Sequence, residues 1–162
     1  MSTISVIEKI KCTGCRSCEQ SCPKKSITMK EDKEGFFYPE INDSCVNCGI
    51  CVDHCPVLTP VTSSKIEPKA YALILKDSQL LSKSSSGGVF AGIADYFLDN
   101  GGVVYGCAYD ENFTAEIIRI TEKSDLNKLQ GSKYVSSNTQ NTYVQVKQDL
   151  NNNLKVLYTG LP

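Results

Sequence analysis

Apolar and polar residues follow different patterns in the two parts of this chain. Before residue 60 the apolar runs are short, and residues 26–29 and 35–38 predict two brief strands separated by the charged turn 30–34. Residues 59–69 show no periodicity and contain two prolines, Pro60 and Pro68. We therefore expect a linker there, between a small first domain and a second domain of different character.

After residue 70 the pattern alternates between strand-like and helical periods, which predicts an α/β arrangement. The strand-like runs are residues 70–76, 103–109, 116–120 and 154–158. Helical periodicity over residues 86–100 predicts a helix with an apolar face, formed by Val89, Ile93 and Phe97 with Phe90, Ala94 and Leu98 beside them. Ser85 or Ser86 is expected as its N-cap, and Gly101 lies just past its end. Residues 124–129 predict a short helix, and residues 139–150 predict a longer one with Tyr143, Val146 and Leu150 on one face.

The sequence stops just after the last predicted strand, in a turn formed by Gly160, Leu161 and Pro162. An α/β domain seldom ends on a strand with no further element. We therefore expect the second domain to be incomplete and the chain to be a fragment of a longer protein.

Composition narrows the class of protein. The 162 residues are 41% hydrophobic, enough for a core, and the formal net charge is −1. Because Lys and Arg form no block, the sequence does not suggest a nucleic-acid or anionic-membrane partner. The N-terminus has no apolar signal-peptide region, and no apolar run approaches the roughly 18 residues of a membrane span. We expect a cytoplasmic protein.

Cysteine spacing carries the strongest chemical signal. The chain has nine cysteines, and eight of them form two runs of C-x2-C-x2-C-x3-C-P, the second displaced from the first by 33 residues, from Cys12 to Cys45. This is the ligand spacing of two-cluster bacterial ferredoxins, in which the fourth cysteine of each run binds the other cluster. Zinc knuckles use paired C-x2-C elements instead, and a disulfide framework suits an exported chain.

Residues 4–57 resemble those ferredoxins, so two [4Fe–4S] clusters are expected. One set of ligands is Cys12, Cys15, Cys18 and Cys55. The other set is Cys45, Cys48, Cys51 and Cys22.

Two further residues have titratable or redox-active side chains. Cys107 lies in a predicted strand, where a cysteine usually packs as a small apolar side chain, with a redox role as the alternative. His54 is the single histidine and precedes Cys55. We expect a solvated imidazole beside a cluster, and a proton-coupled role is the alternative.

The segment SSSGGVF, residues 84–90, has two interpretations. A serine cap and close-packed glycines would explain it as an ordinary helix start. Alternatively, the unpaired N–H groups of a helix N-terminus attract anions, and Gly87 and Gly88 would let a phosphate or a ring approach the backbone. The segment alone does not decide between a helix start and a cofactor site.

The order of four segments after the linker is more specific than any one of them. These are SSSGGVF at 84–90, NGGVVYG at 100–106, LQGSKYV at 129–135 and VLYTGLP at 156–162. Behind a two-cluster module, this succession resembles the family of coenzyme F420 hydrogenase/dehydrogenase beta subunits along essentially the whole chain.

The resemblance implies a flavoprotein that carries iron–sulfur clusters together with FAD or FMN, and some members exchange electrons with the deazaflavin F420. It places a flavin region at Ser86, Gly87, Gly88, Gly131, Ser132, Lys133 and Tyr134. Lys133 would be the cation for a flavin phosphate or the N1/C2 edge of the ring; a solvated lysine is the alternative. In the family, Pro-Cys-Gln follows the last turn, whereas this sequence ends at Pro162 and has Leu161 where a smaller polar residue is common.

The sequence thus predicts an α+β ferredoxin-like two-cluster module over residues 1–58, a linker over 59–69 and a partial α/β domain over 70–162. We expect an oxidoreductase subunit that passes electrons between a ferredoxin-type partner or another subunit and a flavin, F420 or a similar hydride carrier. Catalysis would need sequence beyond Pro162. The alternatives are a non-enzymatic electron carrier and an accessory protein of polysaccharide biosynthesis, since related bacterial proteins occur beside pyruvyl transferases.

Overall fold

The computed structural model describes residues 3–61, 67 and 69–160. The described residues form two compact units, which we call the cysteine unit (residues 3–61) and the α/β unit (residues 67–160). Much of the predicted linker, residues 62–66 and 68, lies outside the described residues. Along the described ranges, no helix combines the length and apolar character needed to cross a bilayer.

The cysteine unit is built on one β-hairpin and two short helices. Strand β1 (Ile27–Glu31) pairs antiparallel with β2 (Phe37–Ile41), and helices α1 (Ser17–Ser21) and α2 (Ile50–Asp53) each follow a cysteine loop. Two 3-10 turns, Ile4–Val6 and Lys9–Lys11, precede them. The predicted hairpin is confirmed, but its turn lies slightly later in sequence. Asp32 sets it, since its Oδ1 accepts the backbone N–H groups of Glu34 and Phe36 at 3.0 and 3.1 Å.

The apolar core of the cysteine unit is small. Three aliphatic or thioether side chains, Ile4, Ile27 and Met29, are buried together with Cys18, Cys51 and Cys55. A unit this short buries too little apolar surface to be very stable on its own, and half of the buried residues in its apolar cluster are cysteines. Its stability therefore depends on what those cysteines hold.

The α/β unit contains a three-stranded mixed sheet of order β4-β3-β5. The central strand β3 (Val103–Tyr109) pairs antiparallel with β4 (Ala115–Ile120) and parallel with β5 (Val156–Tyr158). Side chains on both faces of β3 are buried, which explains its unbroken apolar sequence. The predicted strands at 103–109 and 116–120 are confirmed, and only Val156–Tyr158 of the last predicted run is a strand.

Helices cover both faces of this sheet. The helices are α3 (Ser78–Ser82), α4 (Val89–Asp99), α5 (Leu126–Leu129) and α6 (Thr142–Asn151), with a 3-10 turn at Lys123–Asp125 before α5. Leu98 of α4 and Leu129 of α5 share one buried cluster with Val104. On the other face, Val146 of α6 packs against the cluster of Val103, Tyr105 and Ile117. The α/β character predicted for this part is therefore observed, with a sheet that is mixed.

Helix α4 starts later than its periodicity predicts, and only the Ala94 and Leu98 side of the predicted apolar face is buried. Its N-cap is Gly88, in the left-handed conformation at φ 69°, so neither Ser85 nor Ser86 caps it. Ala91, Ala94 and Leu98 form the buried face, whereas Val89 and Ile93 are exposed. The predicted end is confirmed, because Gly101 adopts φ 68° and the N–H of Gly102 reaches back to the carbonyl of Phe97 at 2.8 Å.

The strand predicted at residues 70–76 is not formed. Tyr71, Leu73 and Ile74 are exposed, and the described backbone bond of this segment is from the Leu75 N–H to the Gly87 carbonyl at 2.8 Å. A Cβ added to Gly87 would lie 2.1 Å from the carbonyl oxygen of Leu73. An apolar run of strand length becomes a strand only when it pairs with the edge of a sheet. Residues 70–76 lie against the turn before α4 instead.

A buried carboxylate joins three elements of the α/β unit. Asp149 of α6 accepts the Tyr105 hydroxyl at 2.7 Å and the Arg119 Nε and Nη2 groups at 2.8 and 2.9 Å. Arg119 holds the pKa of Asp149 below its usual value, while burial and the carboxylate raise the pKa of Tyr105. This ion pair explains why α6 buries Asp149 and leaves Leu150 exposed, contrary to the predicted apolar face.

We expect Asp149→Asn to destabilise the α/β unit by about 2 kcal/mol, because it leaves the Arg119 and Tyr105 donors without a charged acceptor in a buried place. Hydrogen exchange of the β3 amides measures the free energy of unfolding of the α/β unit separately from that of the cysteine unit. The difference from wild type is expected to persist at pH 5. The folded-state pKa of Asp149 lies below about 3.9, so the stabilisation is lost only as the pH falls through that lower value.

Asp99→Asn is the matched control, since Asp99 pairs with Lys123 at 2.7 Å on the surface with 58% of its side chain exposed. An exposed pair contributes about 0–1 kcal/mol. Equal effects of the two substitutions would show that the buried network does not hold the sheet to α6.

We expect Gly87→Ala to detach residues 70–77 from the turn before α4, because the new Cβ meets backbone that must move. Overpacking of this kind costs about 1–3 kcal/mol. Exchange of the Leu75 amide is the direct measurement. Gly160→Ala serves as control, since its Cβ would make ordinary contacts at 3.6 Å with Ile117 and Tyr158. An unchanged Leu75 amide in Gly87→Ala would contradict this role for Gly87.

Candidate functional site

The two cysteine loops have the same backbone conformation. Gly14 and Asn47, which correspond under the 33-residue offset, have φ angles of 67° and 54°, and Arg16 and Gly49, which also correspond, have φ angles of 64° and 83°. Arg16 and Gly49 each stand at the N-cap of the short helix that follows. The repeat seen in sequence is therefore a structural repeat, with two left-handed residues in each loop.

Each loop surrounds a cavity that is completed by the other run. The first cavity is lined by Cys12, Cys15 and Cys18 of the first run and by Cys55 of the second. The second cavity is lined by the second run's first three cysteines and by one from the first run: Cys45, Cys48, Cys51 and Cys22. Each lining contains the four cysteines of one expected ligand set, and ligation by them stays a prediction.

Four cysteines around one cavity are the donor set of a [4Fe–4S] cluster. In the part of the chain that the structure describes, no three His, Cys, Asp or Glu side chains form a group that could hold a single metal ion. The cysteines thus surround each cavity instead of meeting at a point, and the residues present fit a cluster.

Two thiols of the first cavity, those of Cys18 and Cys12, are hard to ionise on their own. Burial, followed by the charge of neighbouring Cys15, raises the pKa of Cys18 to about 12, and burial also raises the pKa of Cys12. For Cys22 burial acts in the same direction, but hydrogen bonds from the Ser26 hydroxyl and N–H, at 3.1 and 3.3 Å, outweigh it and lower the pKa. Several thiolates in one cavity require a compensating cation, as metal binding provides.

His54 lies outside both cavity linings. Its ring is exposed, and its Nδ1 lies 2.9 Å from the carbonyl of Ile50. Its own backbone carbonyl accepts the Ser17 hydroxyl at 2.9 Å. The solvated position predicted for the imidazole agrees with this placement.

The α/β unit has a cavity of about 310 Å³ where segments distant in sequence meet. Its walls come from the turn before α4, strand β3, the loop after α5 and the residues after β5. Four residues of the predicted flavin region line it: Gly88, Gly131, Ser132 and Lys133. Ser84, Ser85, Gln130 and Thr159 also line it; they stand in the quoted segments but were not assigned to the flavin region.

Hydrogen bonds join the two loops that form the cavity. The Ser85 hydroxyl oxygen accepts the backbone N–H of Ser132 at 2.9 Å. Gln130 Nε2 donates to the Ser84 Oγ at 3.0 Å and to the Leu80 carbonyl at 3.1 Å. Two of the motifs that the sequence shows in order, SSSGGVF and LQGSKYV, are therefore in direct contact.

Lys133 places a cation at this cavity. Its Nζ donates to the carbonyl oxygens of Gln130 and Lys128 at 2.8 and 3.1 Å. Burial lowers the pKa of Lys133 and raises that of Cys107, and the charge of each partly counters the effect on the other. Among the described ion pairs none involves Lys133, so its charge is held by dipoles alone.

The other three residues of the predicted flavin region do not line the cavity. Gly87 packs against the Leu73 backbone, Ser86 lies in the turn at φ 52°, and Tyr134 is 93% exposed. Their assignment to a flavin region stays a prediction. Cys107 packs against the cluster of Val103, Tyr105 and Ile117, as expected for an apolar side chain, and its partly exposed side also lines the cavity.

Comparison with protein families matches both units. Residues 11–58 match the 4Fe-4S dicluster domain, and residues 70–142 match the N-terminal domain of the coenzyme F420 hydrogenase/dehydrogenase beta subunit. The first match spans all eight cysteines of the two runs, and the second includes the turn before α4 and the loop after α5. The dicluster domain supports two 4Fe-4S clusters in this chain.

Three curated relatives illustrate the range of similarity. A subunit of the F(420)H(2) dehydrogenase of Methanosarcina mazei is 27% identical over 143 residues, 81% of this chain and 40% of the relative. An uncharacterized ferredoxin of Methanocaldococcus jannaschii is 29% identical over 69 residues, covering 43% of this chain and 88% of the relative. The VorC protein of the ketoisovalerate oxidoreductase of Methanothermobacter marburgensis is 32% identical over 59 residues, 35% of this chain and 75% of the relative.

The chain thus spans about two fifths of the length of the dehydrogenase subunit that it matches over both units. The other two relatives match shorter stretches of the chain, of 69 and 59 residues. The chain belongs to the family of coenzyme F420 hydrogenase/dehydrogenase beta subunits, with a 4Fe-4S dicluster domain ahead of that family's N-terminal domain.

Proposed function

We propose that this iron–sulfur electron-transfer protein passes electrons between a redox partner, its two clusters and a flavin held in the α/β unit. The flavin would exchange hydride with a deazaflavin of the F420 type or a related acceptor. The observation that carries this proposal is the cavity where SSSGGVF and LQGSKYV meet around the Lys133 ammonium group.

The cavity has the features of an anion-accepting cofactor site. The Lys133 ammonium is held by two carbonyl groups and has no described carboxylate partner, so an anionic ligand group would complete its electrostatics. Phe90, Ala91 and Leu129 supply an apolar wall on which a flat ring can lie. A volume of about 310 Å³ is at the lower end of small-molecule sites, which suits part of a flavin, its phosphate or its ring.

A bound flavin would supply the conversion between one-electron and hydride transfer. The residues of this chain would act by position and charge. Lys133 would stabilise negative charge on the ligand, and the Ser85–Ser132 hydrogen bond would keep the two loops at a fixed separation. The Gln130 side chain, bound to Leu80 and Ser84, would hold the loop that carries Lys133.

For the clusters we propose crossed ligation. Cys12, Cys15, Cys18 and Cys55 would hold the first cluster, and Cys45, Cys48, Cys51 and Cys22 the second. The linings of the two cavities support this assignment, since each includes the fourth cysteine of the opposite run. The Ser26 hydroxyl and N–H, which contact the Cys22 sulfur, would stabilise that thiolate as a ligand.

The names of the relatives support a proposal about the partner. Their names describe components of larger oxidoreductases, an F(420)H(2) dehydrogenase and a ketoisovalerate oxidoreductase. We therefore propose that the partner is a ferredoxin or another component of such an assembly. Turnover with a hydride acceptor would need regions that the dehydrogenase subunit has and this chain does not span.

We expect anaerobically purified protein to contain about eight iron and eight sulfide per chain, as two [4Fe–4S] clusters require, and to bind FAD or FMN. Lys133→Gln is expected to weaken flavin binding about tenfold, because a charged hydrogen bond contributes about 1.5–3 kcal/mol. Titration followed by flavin fluorescence measures the affinity.

Lys128→Gln is the matched control, because Lys128 pairs with Asp125 on the surface at 2.6 Å. A protein that contains two clusters but binds neither FAD nor FMN would reject the flavin proposal. That outcome would leave electron transfer of the ferredoxin type as the function.

We expect Cys22→Ser to damage the second cluster and Cys55→Ser to damage the first, since each replaces the fourth ligand of the cluster bound by the other run. The hyperfine-shifted β-proton NMR signals of the remaining cysteine ligands report each cluster separately. Cys107→Ser is expected to leave both signal sets unchanged. Loss confined to the Cys12, Cys15 and Cys18 signals in Cys22→Ser would refute crossed ligation.

A further inference from the structure

The repeat provides an internal comparison between the two cysteine loops. Arg16 and Gly49 occupy the same position, each in the left-handed conformation and each at the N-cap of a short helix. Glycine adopts this conformation without steric cost, whereas a side chain strains it. The first loop therefore has an arginine at a position where glycine would be less strained, as it is at Gly49 in the second loop.

The Arg16 side chain is fixed beside the first cavity. Only 17% of it is exposed, its Nη1 lies 3.1 Å from Glu19 Oε2, and its guanidinium lies 4.9 Å above the centre of the Phe37 ring. Arg16 is among the residues that line the first cavity, whereas Glu19 and Phe37 are not. The other carboxylate oxygen of Glu19 accepts the backbone N–H of Met29 at 3.0 Å, which turns that carboxylate toward β1.

The first cavity has the more buried cysteines. Cys18 and Cys55 of the first set are buried, whereas in the second set Cys51 is buried and Cys48 is exposed. Reduction adds negative charge to a cluster, and burial opposes added charge. Without compensation, the first cluster would be harder to reduce than the second. A partly buried cation on its loop acts in the opposite direction, and its effect is weakly screened.

We propose that Arg16 is a tuning residue that raises the reduction potential of the first cluster relative to the second and so offsets its deeper burial. This inference rests on the proposed ligation of the first cluster by Cys12, Cys15, Cys18 and Cys55. Arg16 does not bind the cluster iron; it acts through its charge and through the loop that it holds.

The second cavity has a cation of a different kind. Lys24 lines it at the position that corresponds to Val57 of the first cavity. Lys24 is exposed, and solvent and salt screen an exposed charge strongly. Lys24 is therefore a suitable control, because it tests whether any cation next to a cysteine run changes cluster potential.

The test is a redox titration of the full chain in wild type, Arg16→Gly and Arg16→Gln, monitored by the hyperfine-shifted signals of each cluster's cysteines. At a fixed ambient potential, the ratio of reduced to oxidised first cluster is expected to fall about tenfold in both variants, which is about 59 mV for a one-electron couple. The second cluster is expected to change by less than about twofold. Arg16→Gly removes charge and strain, while Arg16→Gln removes charge and keeps the Cβ.

Two further variants complete the comparison. Arg16→Lys is expected to restore most of the potential, since it keeps the charge, and Lys24→Val is expected to leave both clusters within about twofold of wild type. A first cluster that is fully loaded and titrates unchanged in Arg16→Gln would overturn the inference. Absence of two clusters from wild-type protein, measured first by iron and sulfide content, would instead reject the proposed function.

Discussion

The crossing of the two cysteine runs is the constraint on which the first half of the chain depends. Each cavity is lined by three cysteines from one loop and by a fourth from the other, so neither cavity can close without both runs. The aliphatic core around them is small, and three of its six buried members are cysteines. The proposed clusters would place positive charge beside buried thiols such as that of Cys18, and folding of this unit would then be coupled to cluster binding.

The α/β unit is organised differently, around a strand that is buried on both faces. Strand β3 gives one side to α4 and α5 and the other to α6, and the Asp149 network ties α6 to β3 and β4. Tyr105 contributes twice, since its hydroxyl joins this network and its carbonyl accepts the N–H and hydroxyl of Thr159 at the cavity. The position of the cavity wall after β5 is thereby linked to the packing of α6.

The sequence predicted those features whose signal is local. Cysteine spacing identified the two runs, and the 33-residue repeat is reproduced in the backbone angles of Arg16 and Gly49. Strand β3 and the end of α4 at Gly101 were predicted correctly. An unbroken apolar run and a glycine after a helix determine these features through neighbouring residues alone. The prediction of a strand at residues 70–76 was wrong because a strand also needs a neighbouring strand to pair with. The sequence of one segment does not show whether such a neighbour exists.

The cavity could be predicted only in part for a related reason. Gly131, Ser132 and Lys133 were assigned through their motif. Gln130 and Thr159 stand in the quoted segments too, but only tertiary packing shows that they line the cavity. Asp149 was missed because a buried acid in a helix cannot be told from a solvated one until its arginine is located. Gly87 had two interpretations, and its contact with the Leu73 backbone gives it a packing role.

The exposure of Cys48 has a consequence for the lifetime of the protein in air. Of the eight cysteines in the two runs it is the exposed one, so dissolved oxidants reach the second cavity most readily. If Cys22 is the fourth ligand at the second cavity, loss of iron from that cavity would release Cys22. Cys22 belongs to the first run and lies between α1 and β1. Oxidative damage that begins at one edge would then loosen the loop around the other cluster, and the two centres would fail together.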